Sequence, residues 1–482
     1  MAGQSGFFSR GLLCCAALMS GLWLSGCAGF GGTIPPRSSL LDPASLAAEQ
    51  SLAQGRMSAA QWPRADWWVR YGDRQLDELM VEALARSPSL LMAQARIDKA
   101  AALSGIAGAA DAPQLSANDT NVYQHFSANS NVPKPLAGTS RWMNQVTLNA
   151  SYDFDFWGKN RDTLNAALDH LHASEVDAQA ARLMLTASVA QTYFRLAQSY
   201  AQLGLAEQMQ REREQVTELT RQRNAAGIDS QVDMKQAQSM VPAIRQQIAA
   251  RQEDIALLGN QLAALVGQGP DRALGLSRPA LSLNQPAGLP SALPAELLGH
   301  RPDVVAQRWR VEAAAQDIKA ARAQFYPNIS LLAYDGFQSL DFIPLLFNGS
   351  RISGIGPALS LPLFDGGRLR GNLSEHNAEY DLAVAQYNQT VLDAMREVAD
   401  QVASIRWLAP RIEQQKQAVG LVHDAWDLAV QRYRAGIGSY TQVLSAQLQI
   451  DAQRSLLVDL NVRALQLDVS LIHALGGACS TL

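Results

Sequence analysis

The sequence predicts an α+β membrane protein in which a few bilayer-spanning β-strands join very long α-helices. Three observations carry that prediction. Apolar and polar residues alternate from Val146 to Phe156, no proline occurs between Pro135 and Pro242, and the chain is written twice. Such alternation, lipid on one side and water on the other, is the signature of a transmembrane barrel strand, although a half-buried soluble sheet gives the same pattern.

The duplication keeps two nearly fixed offsets. At 214 residues, Pro88 matches Pro302, Arg96 matches Arg310, Ala100-Ala101 match Ala314-Ala315, and Pro113 with Ser116 match Pro327 with Ser330. At 209 residues, Gly158 matches Gly367, Val189-Ala190 match Val398-Ala399, Arg223 matches Arg432, and Ala226-Gly227-Ile228 match Ala435-Gly436-Ile437. A register kept over this length marks an internal twofold repeat. The order read from it is a signal peptide (1–26), an N-terminal extension (27–66), a first repeat (67–266), a linker rich in Pro, Gly, Ser and Leu (267–293), a second repeat (294–475) and a short tail (476–482).

Residues 11–24 are an apolar run after Arg10, the only charge of the first 26, and are too short to span a bilayer. Leu24-Ser25-Gly26-Cys27 then follows the pattern of a bacterial lipoprotein cleaved before a cysteine that becomes acylated. Ala28 is not the aspartate that retains such proteins at the inner membrane, so the expected place is the outer membrane. Cleavage leaves 39 basic against 44 acidic residues, which implies no basic surface for nucleic acid. Only Cys27 and Cys479 then remain, so no disulfide framework is available.

Each repeat opens with a helix, expected over 77–110 and 294–324, rich in Ala, Leu, Gln and Arg and stopped by Pro113 and Pro327. Two strands follow in each, over 113–128 and 142–156, then 327–342 and 352–364. In the second of these, Val146, Leu148, Ala150, Tyr152, Phe154 and Phe156 alternate with Thr147, Asn149, Ser151, Asp153 and Asp155; Tyr152, Phe154, Phe156, Trp157 and Trp142 gather near its ends, as aromatic girdles do. In half two, Ile355, Leu359, Leu361 and Leu363 alternate with smaller residues. Each strand pair is followed by a very long helix, expected over 159–225 and 368–433, which at 1.5 Å per residue measures about 100 Å. Each helix ends in a repeated turn and returns as a second helix, over 231–267 and 440–475. Pro242 and Pro410 are expected to kink or interrupt their helices.

Four strands cannot close a barrel, and open edges in hydrocarbon leave backbone groups unsatisfied at several kcal/mol each. The protomer must therefore assemble. Two copies give eight strands, whose interior side chains fill; three give twelve and leave a pore. An enzyme finds little support. His170 and His172 are two apart on a helix and do not share a face. No HExxH, phosphate-cradling loop or GxSxG elbow occurs, and Asp365-Gly366-Gly367 sits where an aspartate caps a helix. A lipid-anchored periplasmic coiled-coil scaffold accounts for the helices but not for the strands.

These residues resemble the outer membrane factor family, of the TolC and OprM type, and most closely its NodT-like lipoprotein branch of efflux components. The segments that carry the resemblance are 154–158 (FDFWG), 300–304 (HRPDV), 323–327 (AQFYP), 361–368 (LPLFDGGR) and 432–440 (RYRAGIGSY). The resemblance implies a trimer with a twelve-strand outer-membrane β-barrel continued by a long α-helical periplasmic barrel, and an equatorial belt to which the linker would belong. It implies no cofactor beyond the covalent lipid on Cys27. It also implies an exit duct for small toxic compounds, partnered by a periplasmic adaptor and an inner-membrane pump; the same fold serves type I protein secretion. The repeated turns become adaptor-docking tips: Arg223, Gly227, Ile228 and Ser230 on one, Arg432, Gly436, Ile437, Ser439 and Tyr440 on the other. The two glycines also have a structural reason, a turn that needs positive φ. The family narrows its closed tunnel with acidic rings near this end, which makes Glu218 and Asp427 gate candidates; Asp427 does not fall on the family's gate aspartate, and Val430, which lies nearer that place, is the third candidate. Threefold symmetry would bring three Asp427 carboxylates together, where like charges raise pKa values and attract cations; a solvated helix face is the other reading of Asp427.

Overall fold

The computed structural model describes residues 32–42, 46, 62–281 and 297–477. Two helices, α1 (Arg74–Arg86) and α2 (Pro88–Gly108), stand where a single one was expected. The break has a local cause. Pro88 removes a backbone donor and pushes Ser87 out of the helical region, to φ −61° and ψ 127°. Its counterpart Pro302 divides the second predicted helix in the same way, into α5 (Leu297–His300) and α6 (Pro302–Ala323).

The strands are β1 (Gln114–His125), β2 (Ser140–Phe154), β3 (Asn328–Leu340) and β4 (Arg351–Ser360). Strand β4 stops four residues short of Phe364, with Pro362 just beyond it. The long helices are α3 (Lys159–Ala225) and α7 (Arg368–Arg434), each of 67 residues; the return helices α4 (Gln231–Leu265) and α8 (Tyr440–Ala474) each have 35. Neither Pro242 nor Pro410 interrupts its helix, which rules out the break and leaves the kink as the expectation. Asp365 starts α7 as foreseen, its carboxylate accepting from the N–H groups of Gly367 and Leu369 at 2.9 Å. No helix among the described residues is long and apolar enough to cross a membrane.

The chain divides into two compact units. The first holds residues 1–40, 98–173 and 308–386, and with them the sheet. Its strands lie in the order β1-β2-β3-β4, all antiparallel. The register sorts side chains onto two faces. Leu115, Ala117, Val146, Leu148, Ala150, Tyr152, Phe154, Ile329, Leu331, Ile355 and Leu359 share one; Ser116, Asn118, Thr120, Gln145, Thr147, Asn149, Ser151, Ser330, Gly354 and Gly356 share the other. On the polar face Tyr334 lies over Gly354, directly opposite it, so that a side chain at 354 would meet the ring within 3 Å. In the same unit an extended segment runs along α7: Ile34 donates its N–H to Ser374 Oγ (3.3 Å), Asn377 Nδ2 donates to the Ile34 carbonyl (2.7 Å), and Arg37 and Ser38 donate theirs to Asp381.

The second unit holds residues 41–97, 174–307 and 387–482. Its main core gathers Trp67, Trp68 and Tyr71 of a 3₁₀ turn, Leu76, Leu79 and Met80 of α1, Val189, Tyr193 and Phe194 of α3, Leu262 of α4 and Val469 and Ile472 of α8. Its buried hydroxyls are all paired, Tyr71 Oη donating to Asp468 at 2.6 Å and Tyr193 Oη to Asp73 at 2.8 Å. The expected linker is folded through residue 281. Pro270–Gly275 is a 3₁₀ turn, Arg272 forms a two-pronged pair with Glu82 of α1, and the N–H groups of Ser277 and Ala280 donate to Gln75 and Asp73. Leu276 and Leu281 of this stretch pack against the main core and Arg272 is held by α1, which its Pro, Gly and Ser content concealed.

Candidate functional site

The two helix-to-helix turns both lie in the second unit and share one backbone design. Gly227 and Gly436 adopt φ of 74° and 80°. At each turn the N–H of the following isoleucine reaches back five residues, Ile228 to the Arg223 carbonyl (2.9 Å) and Ile437 to the Arg432 carbonyl (3.0 Å), which satisfies a carbonyl that the ending helix leaves open. Ser230 then caps α4 in a reciprocal arrangement with Asp233. Ser439 stands likewise before α8, its N–H reaching Gln442 Oε1 at 3.5 Å.

The side chains differ far more than the backbone. Arg223 is 8% exposed. Its Nε and Nη2 donate to the two Asp229 carboxylate oxygens at 2.9 and 3.0 Å, its Nη1 donates to the Tyr433 carbonyl at 2.6 Å, and its guanidinium lies 4.3 Å from the centre of the Tyr433 ring. The Tyr433 hydroxyl completes the cluster, bonding both Asp229 and Thr220. Burial alone would raise the Asp229 carboxyl; the hydrogen bonds from Arg223 and Tyr433 and the Arg223 charge outweigh it and hold the group below the ordinary carboxylate range. Around this cluster Val216, Ala237, Tyr433, Tyr440 and Val443 form a small apolar core, with Val430 packed at its edge. Further along, Arg213 pairs with Asp451 at 2.8 Å and Arg454 with Glu212 at 3.0 Å, so α3 and α8 are joined by two buried or half-buried ion pairs.

This placement corrects two of the docking residues. Arg223 and Tyr440, the latter 3% exposed, are interior residues that tie the hairpins together and present no side chain for a partner. Gly227, Ile228, Ser230, Arg432, Gly436, Ile437 and Ser439 are at the surface, with Ile228 and Ile437 60% and 70% exposed. The gate candidates do not converge within the chain. Glu218 is an exposed carboxylate held at about 2 by hydrogen bonds from Arg221 and Gln222. Asp427 is half-exposed, 3.9 Å from His423 Nε2 on its own helix. Cys27 lies outside the described residues.

Sequence reasoning overlooked Tyr433, Thr220 and Asp229 as one cluster. A signal was present, because at the offset of 209 Asn224 aligns with Tyr433 and Asp229 with Gly438, so that the cluster is built where the two halves disagree.

The model of the family described as outer membrane efflux protein matches residues 79–268 and 293–477. The fusaric acid resistance protein FusA of Burkholderia cepacia is 41% identical over 376 residues, 77% of this chain and 70% of that protein. The multidrug resistance outer membrane protein MdtP of Escherichia coli O6:H1 is 32% identical over 474 residues, 97% of this chain and 96% of that one. Among solved structures, the outer membrane protein VceC from Vibrio cholerae is similar with a TM-score of 0.81 at 41% identity, covering 86% of this chain and 99% of that chain.

Proposed function

The chain belongs to the outer membrane efflux protein family, and from that premise we propose that three copies close a twelve-strand barrel which releases small toxic organic compounds. Members of this family are exit ducts of the outer membrane that reach into the periplasm and catalyse nothing. The observation that supports the trimer is the open sheet, whose order leaves one edge of β1 and one edge of β4 unpaired among the described residues. In hydrocarbon those edges must pair, β4 of one copy with β1 of the next. Three copies give twelve strands, enough for a water-filled interior lined by the polar face.

The height of the apolar face agrees with a bilayer. From Trp142 to Phe154 the strand runs about 41 Å at ~3.4 Å per residue, which a tilt of about 40° reduces to about 31 Å, an apolar band of ~25 Å with aromatic residues at both rims. The N-terminal strap supports an acyl anchor on Cys27. Ile34, fastened to α7 near its start, follows Cys27 by seven residues, a reach of at most about 25 Å. The exposed surfaces around Ile228 and Ile437 are assigned to the periplasmic adaptor, through which an inner-membrane pump would deliver substrate. The twofold repeat then gives each protomer two tips, and the trimer six.

Two relatives are named for resistance to drugs and to fusaric acid. That favours small organic molecules over protein export as the cargo here. Glu218 is assigned to the solvated surface, since Arg221 and Gln222 already satisfy it; Asp427 and Val430 remain the gate candidates. Light scattering on detergent-solubilised protein, with detergent and lipid subtracted, is expected to give three copies, and planar bilayers to show a conductance. A stable monomer in detergent-free buffer would replace the channel with a scaffold. In the same bilayers Asp427→Asn is expected to weaken block by divalent cations; unchanged conductance and block would remove Asp427 from the gate.

A further inference from the structure

The two loops at the far end of the sheet from the helices are opposite in chemistry. Because β1 pairs antiparallel with β2 and β3 with β4, loop 126–139 and loop 341–350 emerge from the same end. The first reads FSANSNVPKPLAGT and carries no exposed large apolar side chain. The second reads DFIPLLFNGS, and Phe342, Ile343, Leu346 and Phe347 all stand out from it, Ile343 at 86% exposure. No charge occurs between Asp341 and Arg351.

Continuity with the sheet says what covers these side chains. The loop is continuous with the apolar face of the sheet, because the Phe342 ring lies 5.4 Å from that of Trp142, which in turn lies 5.4 Å from Tyr123. Trp142 and Tyr123 pair across β2 and β1 on the face that also carries Leu148 and Phe154. The face also carries polar residues below them: Asn144 and Ser339 are buried, Asn121 and Asp119 are exposed, and Asp335 forms an exposed ion pair with Arg351 at 3.1 Å. Part of the loop's backbone is bonded, as it is in the polar loop. Asp341 N–H donates to the Trp142 carbonyl, Leu345 N–H to Phe342, Phe347 N–H to Pro344 and Ser350 N–H to Phe347, while Ser350 Oγ donates to the Pro344 carbonyl. An uncharged segment with large apolar side chains turned outward beside an aromatic rim is better covered by hydrocarbon than by water.

We propose that loop 342–347 is a lipid-contact element, seated in the outer leaflet beside the upper aromatic rim with Ile343 and Leu346 among acyl chains. This rests on the membrane-spanning reading of the sheet. Its consequence is asymmetry at the rim, each protomer contributing one loop that holds lipid and one that stays in water.

Spin labels at single introduced cysteines test this in the full chain reconstituted in phospholipid vesicles, with the parent protein's own labelling subtracted. The positions are Ile343→Cys in the apolar loop, Ser127→Cys in the polar loop and Leu148→Cys on the apolar face. Collision with oxygen, which concentrates in lipid, is compared with collision with a water-soluble nickel chelate. The expected result is oxygen favoured several-fold at 343 and 148, and nickel favoured at 127. Nickel favoured at 343 with oxygen still favoured at 148 would overturn the loop assignment and leave the channel standing. An immobilised label at 343 that neither reagent reaches would also overturn it, in favour of packing against a neighbouring protomer. Nickel favoured at 148 as well would remove the membrane reading itself.

Discussion

The two turns of the second unit share a backbone bond pattern and have opposite interiors. At the first, Arg223 meets Asp229 and is buried; at the second, the aligned arginine, Arg432, meets Gly438 and stays in solvent. The missing carboxylate is not a neutral difference. Gly438 lies so close to its own chain that a Cβ would come within 2.9 Å of the Tyr433 nitrogen and 3.1 Å of the Arg432 carbonyl carbon. The second turn thus gives up an internal ion pair for a tight approach, and sends Tyr433 across to complete the first. A duplicated motif has become one half clamp and one half free surface, and the residues that differ between the copies hold the two hairpins together.

The comparison breaks most sharply at Asp229. Asp229→Ala leaves a buried guanidinium unpaired, a change that costs about 3–5 kcal/mol in buried pairs. Arg432→Ala at the exposed turn is expected to stay within about 0.5 kcal/mol. Thermal unfolding and amide exchange over residues 216–237 would show the difference, and equal effects at both turns would remove the clamp. The sign of the pH dependence follows from the same pair. Because the folded Asp229 carboxyl titrates below its unfolded value of ~3.9, the clamp's contribution is intact above that value and is lost only as pH falls through the lower folded one. Exchange at the first turn should therefore hold steady from neutral pH to about pH 4 once corrected for intrinsic rates, and rise below it.

Tyr433→Phe sharpens the comparison, since it keeps the ring under Arg223 and deletes only the hydroxyl that bonds Asp229 and Thr220. A hydrogen bond to a charged group contributes about 1.5–3 kcal/mol, so the loss should be about half that of Asp229→Ala, with protection reduced in α3 and α7 together. Loss confined to α7 would mean that the hydroxyl does not couple the two hairpins.

Much of this architecture was legible because its signals are local and repeated. The bounds of α3 follow from uninterrupted helix-forming composition ending at a glycine turn, those of α7 from the same turn in the repeat despite Pro410, and the two sheet faces follow from the period of two in β2. Less was visible where a residue has two local meanings. Pro88 and Pro302 are compatible with the first turn of a helix, so a run of good helix formers around each reads as one helix when it is two. The segment after Gly267 has linker composition, yet Arg272 finds Glu82 some 190 residues earlier. Arg223 posed the same difficulty. Near a solvent-exposed turn an arginine reads as surface, and only the third dimension brings Asp229 and Tyr433 around it.

Gly438→Asp asks whether the difference can be undone. Restoring the carboxylate opposite Arg432 recreates the sequence of the first turn, but the crowded backbone predicts a loss of about 1–3 kcal/mol, as overpacking does. A raised melting temperature would show instead that the second turn tolerates a clamp and that its openness has another origin.

The smallest expected change in stability belongs to the residues assigned to docking. Ile228→Ser and Ile437→Ser alter side chains that are mostly in water at both turns, so each should shift unfolding by less than about 0.5 kcal/mol. Association with the periplasmic adaptor should respond quite differently. An isoleucine buried at an interface contributes about 1.5–3 kcal/mol, roughly tenfold to a hundredfold in affinity, and the two turns need not contribute equally. The clamped turn offers a preorganised surface with little ordering left to do on binding, whereas the free turn must be ordered by its partner. The double variant should therefore retain its melting temperature and lose adaptor binding, with Ile228→Ser the more damaging single change. Equal losses would mean that the clamp serves only to hold the hairpins, and binding unchanged in the double variant would place the adaptor elsewhere on the helices.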